Sequence, residues 1–174
     1  MASHAESWTW SPEANINSGL STCIDLFCGM GTWSVAAKTS KLTLLGGYDL
    51  EPGHGSTYAQ NHGSPFHCID ITVPDQWHRI LRQQANIWLA SPPCPPWSRL
   101  GRGGLWSDHR SWPLAILPCI AALGQPSMVL IEQVPEFLRR DGGAHARAWA
   151  ELWLTAGYMV IPTLLDSSKV GMTM

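Results

Sequence analysis

The sequence predicts an α/β fold, a mostly parallel sheet with helices on both faces. Two observations predict it. Short apolar runs alternate with helix-compatible segments along the chain, the order that parallel strands joined by crossover helices require. The residues able to do chemistry recur where those runs end, at Cys28 to Gly31, Asp49, Asp70, Pro93-Cys94 and Glu132. In sheets of this class, ligands sit beyond the C-terminal strand ends near the topological switch point.

Residues 1–20 read as a polar leader without the basic start and apolar stretch of a signal peptide. Residues 22–27 are an apolar run ending in Cys28-Gly29-Met30-Gly31, the pattern of a strand, a tight turn and a helix start. A helix is expected over 32–40 and a second strand over 42–48, closed by Asp49. A short helix follows at 56–62, a third strand at 66–69, and a helix around 74–84. The fourth strand, 86–90, runs straight into Ser91-Pro92-Pro93-Cys94-Pro95-Pro96. Proline lacks the N–H that a helix or central strand needs, so this segment must be a stiff loop. Residues 112–123 read as a helix that Pro118 should kink, 127–131 as a fifth strand, 143–156 as a helix and 158–165 as a last strand.

Composition narrows the function classes. With 45% hydrophobic and 14% charged residues, the chain of 174 residues is that of one ordinary globular domain. No apolar run approaches the ~18 residues of a membrane span, and an intracellular address is expected, nuclear in a eukaryote and cytoplasmic otherwise. The net charge of −2 is low for a nucleic-acid binder, whose affinity draws on phosphate neutralisation. Positive charge is local instead: Arg99, Arg102 and Arg110 share 91–112 with Asp108 alone. Five cysteines without a C-x-x-C pair argue against a disulfide framework or a metal site. All but Cys94 are expected to be small buried hydrophobes.

The glycines of Gly29-Met30-Gly31 let backbone N–H groups approach a ligand at a helix start. Asp49 follows about 20 residues on, where a carboxylate accepts from ribose hydroxyls. Asp70 ends the third strand, placed either to take the exocyclic amine of an adenine or to form a local turn. Cys94, stiffened by prolines and followed by Arg99 and Arg102, has the surroundings that favour a thiolate. Glu132 ends the fifth strand facing the same cleft, where burial would favour its protonated, proton-donating form; the alternative is a capping or salt-bridged glutamate. A thiol and a carboxyl beside a cofactor pocket suit covalent activation of an electrophilic ring. The thiolate adds to C6 of a cytosine, the carboxyl protonates N3, and C5 becomes the nucleophile toward a sulfonium methyl. A base in a duplex must first leave the stack.

Taken together, these segments resemble the cytosine C5-methyltransferases. Asp25-Leu26-Phe27-Cys28-Gly29-Met30-Gly31 resembles their D-L-F-x-G-x-G loop, which binds S-adenosylmethionine. The segment from Ser91 to Ser98 is similar to their proline-cysteine motif, and Glu132-Gln133-Val134 to their E-N-V motif. Tyr58-Ala59-Gln60-Asn61 and Asp70-Ile71-Thr72 fall where the family carries Y-x-x-N and D-I-T, and the order and spacing match over 22–165. The resemblance implies a Rossmann-like S-adenosylmethionine-dependent methyltransferase fold, C-terminally incomplete, with residues 21–174 the N-terminal part of the catalytic domain. It implies Cys94 as nucleophile and Glu132 as the N3 partner. Asp25, Phe27, Gly29, Gly31, Asp49, Asp70, Ile71 and Pro93 are implied at the cofactor. Pro93, Ser98, Arg99 and Arg102 are implied at the nucleic acid, which is expected to be DNA, with RNA the alternative. No membrane and no metal are expected.

The chain departs from the family pattern at Pro95, where glutamine is usual, at Gln133, where asparagine is usual, and at Thr32, a frequent glycine. The family's Q-x-R-x-R motif would follow shortly after Leu165, and then a last sheet strand, a recognition domain and a closing motif. The chain is therefore expected to be a fragment, with an apolar sheet edge left open and poor stability in isolation. Three other readings stand beside this one. Ser91 to Cys94 followed by Ser98-Arg99-Leu100-Gly101-Arg102 is also similar to transfer-RNA cytosine methyltransferases that share the catalytic domain. Amino-methyltransferases carry Ser-Pro-Pro before an aromatic residue, where this chain has Cys94. A relic that only binds S-adenosylmethionine would explain Pro95 and the net charge.

Overall fold

The computed structural model describes residues 21–98 and 104–166. The chain begins with β1 (Thr22–Leu26), α1 (Thr32–Thr39), β2 (Thr43–Asp49), α2 (Gly55–His62) and β3 (Phe66–Cys68). It continues through α3 (His78–Leu81), β4 (Ile87–Ala90), α4 (Trp112–Gly124) and β5 (Met128–Ile131), and then α5 (Pro135–Arg139) and α6 (Ala144–Thr155). The strands form a five-stranded sheet in the order β3-β2-β1-β4-β5, and every pairing is parallel. From β1 the chain first builds outward to β2 and β3, then returns to place β4 on the other side. The switch point therefore lies between the ends of β1 and β4.

Alternation along the central strands sorts their side chains onto two faces. Ile24 and Leu26 of β1, with Trp88 and Ala90 of β4, join the larger core under Ile80, Leu114, Leu117, Ile120, Trp149 and Trp153. Cys23, Ile87 and Leu89 point the other way, against Ala37 and Trp33 of α1. All four residues of β4 are buried, as a continuous apolar run in a central parallel strand should be. A ladder of edge-on aromatic rings crosses the larger core. It passes from Trp106 to Trp97, Phe137, Trp149, Trp153 and Tyr158, with centroid separations between 4.7 and 5.6 Å.

Pro118 does not break α4, which runs on to Gly124. A proline here leaves the carbonyl four residues earlier, that of Leu114, without its helical donor. The Trp149 indole N–H donates to that carbonyl at 2.9 Å, so the lost bond is replaced from α6.

The structure corrects three expectations. The helix expected around 74–84 is a 3₁₀ turn at Pro74–Gln76 followed by the four-residue α3. Here Gln76 and Trp77 turn back to bind the backbone of the preceding loop, Gln76 accepting from Asp70 N–H and Trp77 donating to the Ile71 carbonyl. Residues 158–165 form no strand. Tyr158 is anchored by its hydroxyl to the carbonyls of Pro126 and Ala121, but residues 159–166 pair with no strand, and Met159, Ile161 and Leu165 are exposed. A strand needs a neighbour, and among the described residues β5 has β4 on one side only. Finally, Cys68 and Cys119 are exposed, whereas Cys23 and Cys28 are buried as expected. The short helix α5 had no counterpart in the sequence reading.

Candidate active site

The C-terminal ends of β1, β2 and β4 open into a cleft of about 220 Å³. It is lined by Phe27, Asp49, Asp70, Ile71 and Pro93 among the expected residues, together with Leu26, Tyr48, Leu50, Ser91 and Pro113. Leu50 follows Asp49 directly and could have been found from that position. Pro113 comes from the start of α4, and nothing in the sequence links it to the strand ends.

The loop between β1 and α1 is held by hydrogen bonds at Cys28, Gly29, Met30 and Gly31. Phe27 takes a left-handed conformation, φ 58°, unusual for a side-chain-bearing residue and typical of functional turns. The Gly29 N–H donates to Asp49 Oδ2 at 2.8 Å, and the Gly31 N–H donates to the Cys28 carbonyl at 2.7 Å. A Cβ on Gly29 would meet nothing within 4 Å, so the loop faces open space there. Asp49 Oδ1 accepts from the Glu51 N–H at 2.9 Å and lies 3.5 Å from His54 Nδ1. Asp70 Oδ1 accepts from the N–H and hydroxyl of Thr72. Asp70 thus forms the local turn and also lines the cleft.

Asp25 does not line the cleft. It is fully buried beneath α1, where Oδ2 accepts from the Ser34 N–H at 3.0 Å and its hydroxyl at 2.7 Å. The Ser34 hydroxyl also meets the Tyr58 hydroxyl at 2.7 Å. Burial pushes the Asp25 carboxyl up to about 6, more than the Ser34 hydrogen bonds lower it. Burial likewise raises the Cys23 thiol to about 11 and the Cys28 thiol further, which makes both poor nucleophiles.

On the other side of the switch point, Cys94 is half-buried. Its carbonyl accepts from the N–H groups of Trp97 and Ser98, closing a tight turn through Pro95 and Pro96. Trp97 is fully buried under that turn, and Arg140 Nη1 donates to its carbonyl at 3.4 Å. The β5 ladder continues past the strand end, with Glu132 N–H donating to the Ala90 carbonyl at 2.9 Å. Gln133 Nε2 then donates to the Pro92 carbonyl at 3.2 Å, and its Oε1 accepts from the Val134 N–H. The loops bearing Cys94 and Glu132 are thereby tied side by side. The Glu132 side chain is exposed, so the burial expected for it is not found among the described residues. Arg99 and Arg102 lie outside the described residues. Arg110 is exposed and paired with Asp108 at 2.6 Å, and that hydrogen-bonded guanidinium holds the Asp108 carboxyl near 2.

A cleft with an aromatic face, two carboxylates at its rim and an open glycine turn suits a ligand with a flat ring and hydroxyl or amine donors. Among the described residues, no group of three or more His, Cys, Asp or Glu could hold a metal ion, and no helix is long and apolar enough to cross a membrane.

The chain is similar to known proteins along most of its length. Over 158 residues the chain is 29% identical to the type II methyltransferase M.BsuFI of Bacillus subtilis, covering 87% of this chain and 36% of that one. It is 28% identical to M.HgiDI of Herpetosiphon aurantiacus, covering 85% and 47%. The chain thus spans less than half the length of these relatives. In fold it is similar to a prophage-encoded E. coli protein assigned as a DNA modification methyltransferase (TM-score 0.61, 18% identity, covering 77% of this chain and 38% of that one). It is also similar to a Spodoptera frugiperda DNMT2 variant (TM-score 0.53, 22% identity, covering 78% and 40%). These neighbours show a Rossmann-like fold of the methyltransferase type. The sequence pattern of C-5 cytosine-specific DNA methylase matches residues 21–173, and the chain belongs to that family.

Proposed function

We propose that the chain is the cofactor-binding and nucleophile-bearing part of a longer enzyme that methylates C5 of cytosine in DNA through a covalent adduct on Cys94. The observation that carries this reading is the joining of two loops at the switch point. Glu132 N–H donates to the Ala90 carbonyl and Gln133 Nε2 to the Pro92 carbonyl, which supports a reading in which the loops bearing Cys94 and Glu132 act together. That residues 21–174 are one part of a catalytic domain is supported by the share of the relatives' length they cover and by the unpaired edge of β5.

In this reading Phe27 and Ile71 pack on the adenine, Asp70 accepts from its exocyclic amine, and Asp49 accepts from the ribose hydroxyls. Gly29 and Gly31 leave room for the methionine end. S-adenosylmethionine, when bound, supplies an electrophilic methyl group. Asp25 acts from below, fixing the first turn of α1 through Ser34. Pro93 and Ser98 seat the target base, and Arg99 and Arg102 meet its phosphates. The Cys94 thiolate forms a bond to C6 while Glu132 gives a proton to N3, which moves electron density to C5. C5 takes the methyl group as S-adenosylhomocysteine leaves, N3 returns its proton to Glu132, and loss of the C5 proton to water breaks the C6–S bond and returns the thiolate.

The test is a duplex bearing 5-fluorocytosine, incubated with S-adenosylmethionine and the full-length product of the gene. Fluorine in place of the C5 proton blocks the last step, so an SDS-stable adduct should accumulate with the parent and be absent with Cys94→Ala. A parent that binds cofactor but yields no adduct would exclude the covalent route. An adduct with the matching RNA, and none with DNA, would move the substrate to RNA.

A further inference from the structure

We infer that His62 is a positioning residue for the cofactor loop, pinning the carbonyl of Met30 so that the neighbouring amides keep their arrangement; this rests on the cofactor reading of that loop. His62 is the last residue of α2 and is buried beneath Gly31. Its Nε2 lies 2.9 Å from the Met30 carbonyl oxygen. A carbonyl only accepts, so Nε2 carries the proton and the ring is held as that tautomer. Nδ1 is enclosed and has no partner among the described residues. The ring's place is fixed from behind. Tyr58 packs against it at 4.7 Å and is itself bound to Ser34, while Lys38 Nζ donates to the His62 carbonyl at 2.6 Å.

This contact sets the demand for glycine at position 31. A Cβ there would lie 2.0 Å from His62 Nε2, quite apart from the left-handed φ of 97°. The loop then has three ties in succession: Gly29 N–H on Asp49, the Met30 carbonyl on His62, and the Gly31 N–H on the Cys28 carbonyl. Only the His62 tie comes from α2. Losing it frees the Met30 peptide to rotate, and with it the Gly31 N–H on the other side of that peptide.

The experiment compares the full chain with His62→Phe, which keeps the ring and removes the donor, and His62→Gln, whose amide nitrogen can restore it. Titration calorimetry with S-adenosylmethionine and S-adenosylhomocysteine should show about tenfold weaker binding for the Phe variant. The Gln variant should stay within about threefold of the parent. In the protein without ligand, nitrogen NMR should find His62 protonated at Nε2. Amide exchange over residues 28–32 should speed up in the Phe variant and return toward the parent in the Gln variant. Equal binding by parent and Phe variant, with unchanged exchange, overturns the inference. A Gln variant as weak as the Phe variant overturns it too, by showing that the ring and not the donor matters. If the parent binds neither ligand, the cofactor reading fails, and the tautomer and exchange results still decide the role of His62.

Discussion

At the β1–β2 end of the rim, the loop's N–H groups and carbonyls meet fixed partners in Asp49, His62 and Cys28, with Asp25 and Ser34 locked beneath them. At the β4–β5 end, the Cys94 and Glu132 loops are tied by one backbone bond and one glutamine side chain, and the Glu132 carboxylate stands exposed. The two ends share a sheet and differ in what holds them. A binding surface can be preorganised by its own strands, because its partners are close in the chain and under the sheet. The proposed catalytic pair, Cys94 and Glu132, is brought together by its loops alone, and in that reading the bound base would fix its side chains.

The comparison can be broken first at Asp25. Its folded carboxyl is raised to about 6 from an ordinary 3.8, so the stability it contributes is complete below the lower value and lost as pH rises through the higher. Asp25→Asn cannot titrate. Urea melts of variant and parent should shift relative to each other by about 3 kcal/mol between acid and neutral pH, in the variant's favour as pH rises. A difference that stays flat with pH would mean that Asp25 is not held as described. The next effect is at Asp49, which serves both the Gly29 amide and the proposed ribose. Asp49→Ala should weaken S-adenosylhomocysteine binding by roughly 10- to 100-fold in calorimetry, and an unchanged affinity would separate this carboxylate from the ligand.

Smaller effects probe the framework on the looser side. Trp149→Phe leaves the Leu114 carbonyl without a donor and should cost about 1–3 kcal/mol in denaturant melts. If it is neutral, the helix has another way round Pro118. Leu130→Lys on the unpaired β5 edge should change stability by no more than about 0.5 kcal/mol while reducing light scattering on heating. Unaltered scattering would clear this edge of responsibility for aggregation.

The sequence made one side of the molecule easier to read than the other. Ile87-Trp88-Leu89-Ala90 followed by prolines has a single reading, since an apolar run that stops at residues without N–H groups is a buried strand entering a loop. Asp49 was legible because its distance from the glycine turn is set by one crossover. His62 was not, because a histidine closing a short helix carries no sign of the carbonyl above it. Asp25 was read as a ligand contact, when strand alternation turns it under α1. Residues 158–165 have the composition of a strand, but pairing is a property of two segments, and composition describes only one. Helix α5 was not expected, although Pro135 suits a first helical position.

The aromatic ladder has an optical consequence. Trp97 lies three residues beyond Cys94, and edge-on rings lead from it through the core to Tyr158. Transitions on tryptophans packed this closely couple, so circular dichroism in the near ultraviolet should carry a signal that exists only while the rings keep their mutual angles. Because Trp97 closes the turn that carries Cys94, the proposed nucleophile, that signal reports, without label or ligand, on whether the turn is in place.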